Sequence, residues 1–213
     1  GDGGSSSVAL MVDTTPTAGE QAWDDVTGAT AHRYDVASGN RDWIQYTNSS
    51  LMDGLTVKLD YVPSDGTTDI ESSTAGTISY TGIEGLTIGL GAGEDNGEGA
   101  SASIDVTVAN ATYAMDAFTI GWSTSESDSN AADSDITLTA MGVSYAVNDD
   151  LSVSVNQSTH EIEGSSDQDS FGISASLVMG SMTLSANHNS VENVGGTSGT
   201  DRSGYALGLS FAF

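Results

Sequence analysis

The chain has 213 residues and a formal net charge of -26, from 30 acidic residues against four basic ones, Arg33, Arg41, Lys58 and Arg202. So little positive charge leaves no surface to neutralise phosphates, which excludes nucleic acid as a partner. There is no cysteine, so disulfides and thiolate metal sites are excluded as well, and no apolar run approaches the roughly 20 residues of a membrane-spanning helix.

Residues 1–40 differ from the rest. Val8, Ala9, Leu10, Met11 and Val12 form a short apolar run, with 6–12 a candidate short strand. Pro16, Gly19, Gly28 and Gly39 then break the chain among scattered Glu20, Asp24, Asp25 and Asp35. This reads as a long acidic loop with a helical turn near 20–26. No signal peptide opens the sequence, which reads as mature or truncated.

From residue 41 a period of two sets in, the signature of half-buried strands. Ile44 and Tyr46 oppose Trp43 and Gln45, and Leu55, Val57, Leu59 and Tyr61 oppose Thr56, Lys58 and Asp60. After a polar stretch, 63–73, come Ile78 and Tyr80, a tight turn at 82–85, and Leu86, Ile88 and Leu90. Ile104, Val106 and Val108 alternate with Asp105 and Thr107; Phe118, Ile120 and Trp122 follow a turn at 115–116. Between 135 and 147 the phase changes, with Ile136 and Leu138 on one parity and Met141, Val143 and Tyr145 on the other. A β-bulge near 140–142 is expected there. Leu151, Val153 and Val155, then Phe171, Ile173, Ala175 and Leu177, then Met182, Leu184 and Ala186 complete the series before the last strand.

Eleven strands are thus expected after residue 40, joined alternately by short turns and long polar connections. An up-and-down antiparallel barrel, with tight turns on one side and long loops on the other, gives this alternation; Greek-key crossovers do not. Charge follows the same rhythm: the five long connections hold sixteen acidic residues and the short turns five. Asp60 and Asp105 lie within strands, opposite the apolar parity. An acid facing hydrocarbon is costly, so that opposite face is expected to be a wet lumen lined by Asp60 and Asp105.

The terminal strand is the sharpest pattern. Tyr205, Leu207, Leu209, Phe211 and Phe213 alternate with Gly204, Ala206, Gly208, Ser210 and Ala212. In water this would be an adhesive edge; in a closed barrel it is paired and faces lipid. It resembles the closing strand of bacterial outer-membrane barrels, in which a final Phe forms part of the signal for insertion. Taken with Arg41-Asp42-Trp43-Ile44-Gln45-Tyr46-Thr47 and Gly54-Leu55-Thr56-Val57-Lys58-Leu59-Asp60-Tyr61, in that order, the chain resembles the general diffusion porins of Gram-negative bacteria, most closely the alphaproteobacterial type.

That resemblance implies an all-β, up-and-down transmembrane β-barrel of the 16-stranded type. Residues 1–40 would be the constriction-loop segment and 41–213 the C-terminal strands, about eleven of them. The alternative is a complete 12-stranded barrel whose first strand is 6–12. The implied function is passive diffusion of small hydrophilic solutes across an outer membrane by a homotrimer embedded in lipid. Carried over residue by residue, Glu20, Asp24, Asp25 and Asp35 would be the constriction acids, with Arg33, Arg41 and Lys58 the wall cations. The scarcity of cations then implies cation preference. No cofactor is implied, although the acidic loops, with Glu126/Asp128 and Asp133/Asp135, are candidates for divalent cations without EF-hand spacing.

Two other readings stay open: a soluble, acidic β-rich protein binding ions or surfaces, and an autotransporter translocator barrel, which would need a helical plug that the Gly- and Pro-broken residues 1–40 do not suggest. Catalysis has no support, because His32, His160 and His188 are scattered and no Ser-His-Asp or metal-ligand spacing appears.

Overall fold

The computed structural model describes residues 15–18, 43–64, 71–96, 103–130 and 135–212. Eleven strands form in chain order: β1 (Ile44–Asn48), β2 (Leu55–Val62), β3 (Ser73–Ile83), β4 (Leu86–Asp95), β5 (Ile104–Met115), β6 (Phe118–Ser129), β7 (Ile136–Ala146), β8 (Leu151–Ile162), β9 (Gln168–Met179), β10 (Met182–Glu192) and β11 (Arg202–Phe211). They make one 11-stranded sheet in which each strand neighbours the next in sequence. The pairings are antiparallel, as at β1–β2, β2–β3, β8–β9 and β10–β11. The number and order of strands agree with the sequence pattern. The candidate strand at 6–12 lies outside the described residues.

From β3 onward each strand has 10–12 residues, against about 5–6 in a typical soluble sheet. Their outer halves are polar. β6 continues through Ser125 and Ser127 to Ser129, and β8 through Gln157 to Ile162. Hydropathy alone places 125–129 and 161–162 in the polar connections. The backbone ladder persists because each added residue still finds its cross-strand hydrogen bonds.

The chain falls into two compact units. The first contains β1–β4, β5 as far as Ala111, the loop-side end of β6 from Ser123, and Ile136 and Thr137 at the start of β7. Here Ile44, Tyr46, Leu59, Tyr61, Ile78 and Leu90 are exposed, whereas Asp60, Ser73, Ala75 and Thr77 are buried. The register explains the sorting: Lys58 pairs with Thr47 and Thr77, and Asp60 with Gln45 and Ala75, so these stand on one face.

Val106 and Val108 belong to that same face. A Cβ built on Gly91 would lie 2.8 Å from Val108 Cγ1 and 2.9 Å from Thr77 Cγ2, and the two valines are buried. Asp105 and Thr107 are exposed on the other face, at the parity of Tyr113 and Met115. The expected placement of Asp105 on the polar face is therefore corrected. The valine pair is removed from water by burial, not by hydrocarbon. Asp105 is tolerated on its face because it is the second residue of β5, at the long-loop end, beyond the apolar middle of the strand.

The second unit contains the remainder of β5–β7, all of β8–β11 and residues 15–18. Val153, Val155, Phe171, Ile173, Leu207 and Leu209 are exposed, and Ser154, Asn156, Ser158, Ser170, Ser174 and Asn189 are buried. Along β7, Ile136, Ala140 and Gly142 are buried while Met141 and Tyr145 are exposed. The alternation is unbroken, so the expected bulge at 140–142 is not required: Ile136 and Leu138 simply take the buried side.

Candidate functional site

A soluble β protein buries its large apolar side chains and exposes its polar ones. In both units the sorting is reversed. The exposed face of the second unit is also banded. Phe118 stacks on Tyr145 with centroids 4.4 Å apart near the short turns, Phe171 and Tyr205 lie toward the long loops, and aliphatic residues fill the interval. Along β11 Phe211 lies six residue steps beyond Tyr205, about 20 Å at roughly 3.4 Å per residue, close to the apolar band of about 25 Å between aromatic girdles in transmembrane barrels. Tyr205, Leu207, Leu209 and Phe211, the four described members of the terminal pattern, are all exposed on that face; Phe213 lies outside the described residues.

The buried polar faces are the candidate sites. In the first unit Lys58 and Asp60 stand two residues apart on one face, and Gln45 Nε2 donates to Asp60 Oδ1 at 2.8 Å. The structure thus brings together one expected wall cation and one expected lumen acid. Glu20, Asp24, Asp25, Asp35, Arg33 and Arg41 lie outside the described residues. Among the described residues no group of three or more His, Cys, Asp or Glu side chains is gathered closely enough to hold a metal ion.

In the second unit the polar face is a grid of neutral side chains set by register. Ser154 pairs with Ser174 and Ser174 with Asn187; Asn156 pairs with Gly172 and Gly172 with Asn189. Ser154 and Ser174 join hydroxyl to hydroxyl at 2.6 Å. Residues 15–18 lie directly on this grid: the Ala18 amide donates to Ser154 Oγ at 2.8 Å, and a Cβ on Gly142 would sit 3.3 Å from Thr15 Cβ. A segment from the acidic N-terminal region is therefore pinned against the polar wall.

Sequence reading had singled out charged residues and overlooked this neutral grid. The signal was present in the parity of Ser152, Ser154, Asn156 and Ser158 and of Ser170, Ser174 and Ser176. At the long-loop end the grid is closed by tied connections. Gln168 Oε1 accepts from the Gly195 amide at 2.9 Å, and its Nε2 lies 3.3 Å from His160 Nδ1. The Ser166 amide donates to Gly196 O.

Comparison with known proteins gives a consistent picture. A family model described as Gram-negative porin matches residues 3–164. Among solved structures the chain is similar to the anion-selective porin from Comamonas acidovorans, at 14% identity and a TM-score of 0.69, over 81% of this chain and 59% of that one. It is similar to a porin refined at 1.8 Å, at 18% identity and a TM-score of 0.70, over 96% of this chain and 73% of that one. The outer membrane channel DcaP of Acinetobacter baumannii matches at 9% identity and a TM-score of 0.70, over 100% of this chain and 70% of that one. The chain spans about three-fifths of the length of the first of these, 59%. No curated protein matches it.

Proposed function

Because the chain belongs to the Gram-negative porin family, a family of the bacterial outer membrane with a transport rather than a catalytic role, we propose that it forms part of a water-filled channel for passive diffusion of small hydrophilic solutes and ions. One observation carries this reading: Ser, Asn and Asp side chains are buried on one face of long strands while Leu, Ile, Tyr and Phe are exposed on the other. Lipid accepts the second face at no cost, and a hydrated passage accepts the first.

In this reading the eleven strands are the closing run of a 16-stranded, general-diffusion barrel, a size that leaves an aqueous channel. The shares of solved porins that the chain spans, 59% and 73%, support that proportion. Residues 15–18 on the wall are part of an inward-folded constriction loop, with Glu20, Asp24, Asp25 and Asp35 as its acids and Arg33, Arg41 and Lys58 facing them. The assembly is a homotrimer, as in the porins the sequence resembles. With 30 acidic residues against four basic ones, the channel prefers cations, since rings of one charge sign set ion preference. Divalent cations would gather at the acidic loops.

The test is reconstitution of the full-length protein in planar bilayers. Ohmic channels whose reversal potential under a KCl gradient has the cation-selective sign are expected. A failure to conduct rejects the channel, and an anion-selective sign rejects the charge argument.

A further inference from the structure

We propose that an outward-facing cleft across β8, β9 and β10 binds the primary ammonium of a membrane lipid headgroup; this rests on the reading above that the apolar face of these strands meets lipid. The cleft has a volume of about 300 Å³. Register builds its outer lining as two rows. Gln157, Phe171 and Ser190 form the first, and Thr159, Asp169 and Glu192 the second. Both rows continue the parity of Ile173, His188 and Tyr205 on the exposed face. The acidic row lies four residues loopward of the Tyr205 row, about 14 Å at roughly 3.4 Å per residue. That is the level of the headgroups, beyond the aromatic girdle.

The acidic row carries an uncompensated charge. Asp169 and Glu192 are direct cross-strand partners. Like charges so placed repel, with Cβ atoms about 4.5–5.5 Å apart. Thr159 Oγ1 donates to Asp169 Oδ1 at 2.7 Å, and the lining holds no basic side chain. Arg202 pairs with Val191, on the opposite face. A cation between the two carboxylates would relieve the repulsion. The chemistry of the lining favours an organic cation over a metal ion. Among the described residues no group of three His, Cys, Asp or Glu side chains is gathered here, and the cleft has room for an aminoethyl group as well as its charge. Phe171, 43% exposed, offers a ring to an ammonium held above it. Gln157 and Ser190 add donors for the phosphate that follows the amine in a zwitterionic headgroup. A purely anionic headgroup would meet only repulsion from the acids.

The experiment uses the full-length protein in phosphatidylglycerol vesicles. Ser203→Cys, the register partner of Ser190, carries a fluorophore beside the cleft. The probes are phosphatidylethanolamine and phosphatidylglycerol with a nitroxide on the acyl chain. Half-quenching is expected at about tenfold less labelled phosphatidylethanolamine than phosphatidylglycerol, the scale of one charge-assisted hydrogen bond. Asp169→Asn with Glu192→Gln should make the two lipids equal. Asp149→Asn with Asp150→Asn, an identical charge change at a short turn, should leave the preference intact. Phe171→Leu should reduce it about threefold, which provides a variant without any charge change. Equal quenching by both lipids in the otherwise native protein overturns the proposal, as does equal loss of preference in the two charge variants. Loss of the preference on adding EDTA, which would assign the cleft to a metal ion, or displacement of the lipid by free ethanolamine, also overturns it. Conductance of the same protein is read separately in planar bilayers: open channels without lipid preference overturn the cleft alone, whereas absence of channels overturns the channel reading and the lipid site with it.

Discussion

The imidazole of His188 lies on the phenol ring of Tyr205, with centroids 4.3 Å apart and planes within 22°. The two residues are register partners on β10 and β11. His188 Nδ1 donates to the Gly204 carbonyl at 3.0 Å, which fixes the ring for stacking. The pair tacks the terminal strand to its neighbour at the level of the loop-side aromatic band. Tyr205→Ala should lower stability in lipid vesicles by about 0.5–1.5 kcal/mol, the usual worth of an aromatic pair. Tyr205→Phe should restore it, since the ring and not the hydroxyl makes the contact. Urea unfolding followed by Trp fluorescence measures both.

The absence of cysteine from the sequence makes single-cysteine labelling a clean assay of the two faces. Leu207→Cys and Leu209→Cys should react with a lipophilic maleimide and resist a charged one in vesicles. Ser185→Cys and Asn187→Cys, on the opposite parity of the paired strand, should show the reverse. Asp105→Cys should react with the charged reagent although it shares the parity of Tyr113, because it stands at the loop end of β5. Resistance at Asp105→Cys would mean that the apolar band reaches that far.

Gly54 has φ +75°, and a Cβ there would lie 2.4 Å from the Gly82 backbone nitrogen. Its carbonyl accepts from the Thr81 amide at 2.8 Å, so two neighbouring short turns are built against each other. Gly54→Ala meets both the left-handed backbone and the close approach. It should cost about 1–3 kcal/mol from the backbone conformation alone, read as a lower urea midpoint with unchanged single-channel conductance.

Much of this architecture was legible because membrane-facing strands write their period plainly: Tyr205, Leu207, Leu209 and Phe211 could hardly be sorted otherwise. The parity of Lys58 and Asp60 followed from Leu59 and Tyr61. The errors have physical causes. Val106 and Val108 carry the apolar signature of a lipid face, yet they are buried on the polar one, and sequence alone does not distinguish burial in protein from exposure to hydrocarbon. Ile136 and Leu138 misled in the same way and suggested a bulge. The polar strand ends at 125–129 and 161–162 read as loops because hydropathy marks only the part of a strand in contact with lipid. The row of Asn156, Gly172 and Asn189 was invisible because it exists only once cross-strand register is known.

Ser154 holds residues 15–18 to the wall through the Ala18 amide. Ser154→Ala removes the acceptor and leaves that amide without its partner on β8, at a cost of about 1–3 kcal/mol if it stays buried. The segment should then open more often. Faster proteolysis at 15–18 and greater open-channel noise are the expected results. Ser154→Thr, which keeps the hydroxyl, should behave as the native protein does.

Lys58 provides the sharpest test of the charge argument. It projects from the middle of β2 between Thr47 and Thr77, on the face that also holds Asp60. A unit charge contributes about 1 kcal/mol to a monovalent ion passing at 4 Å in water, a factor of about five in local occupancy. Lys58→Met removes one repelling charge for cations and Lys58→Glu reverses it. The cation-to-anion permeability ratio should therefore rise in the order Lys, Met, Glu, by several-fold at each step in dilute salt. At 1 M salt the Debye length falls to about 3 Å, and the three proteins should converge. Reversal potentials at low and high KCl measure both effects. A ratio insensitive to all three side chains would place Lys58 away from the path of the ions, whatever its parity.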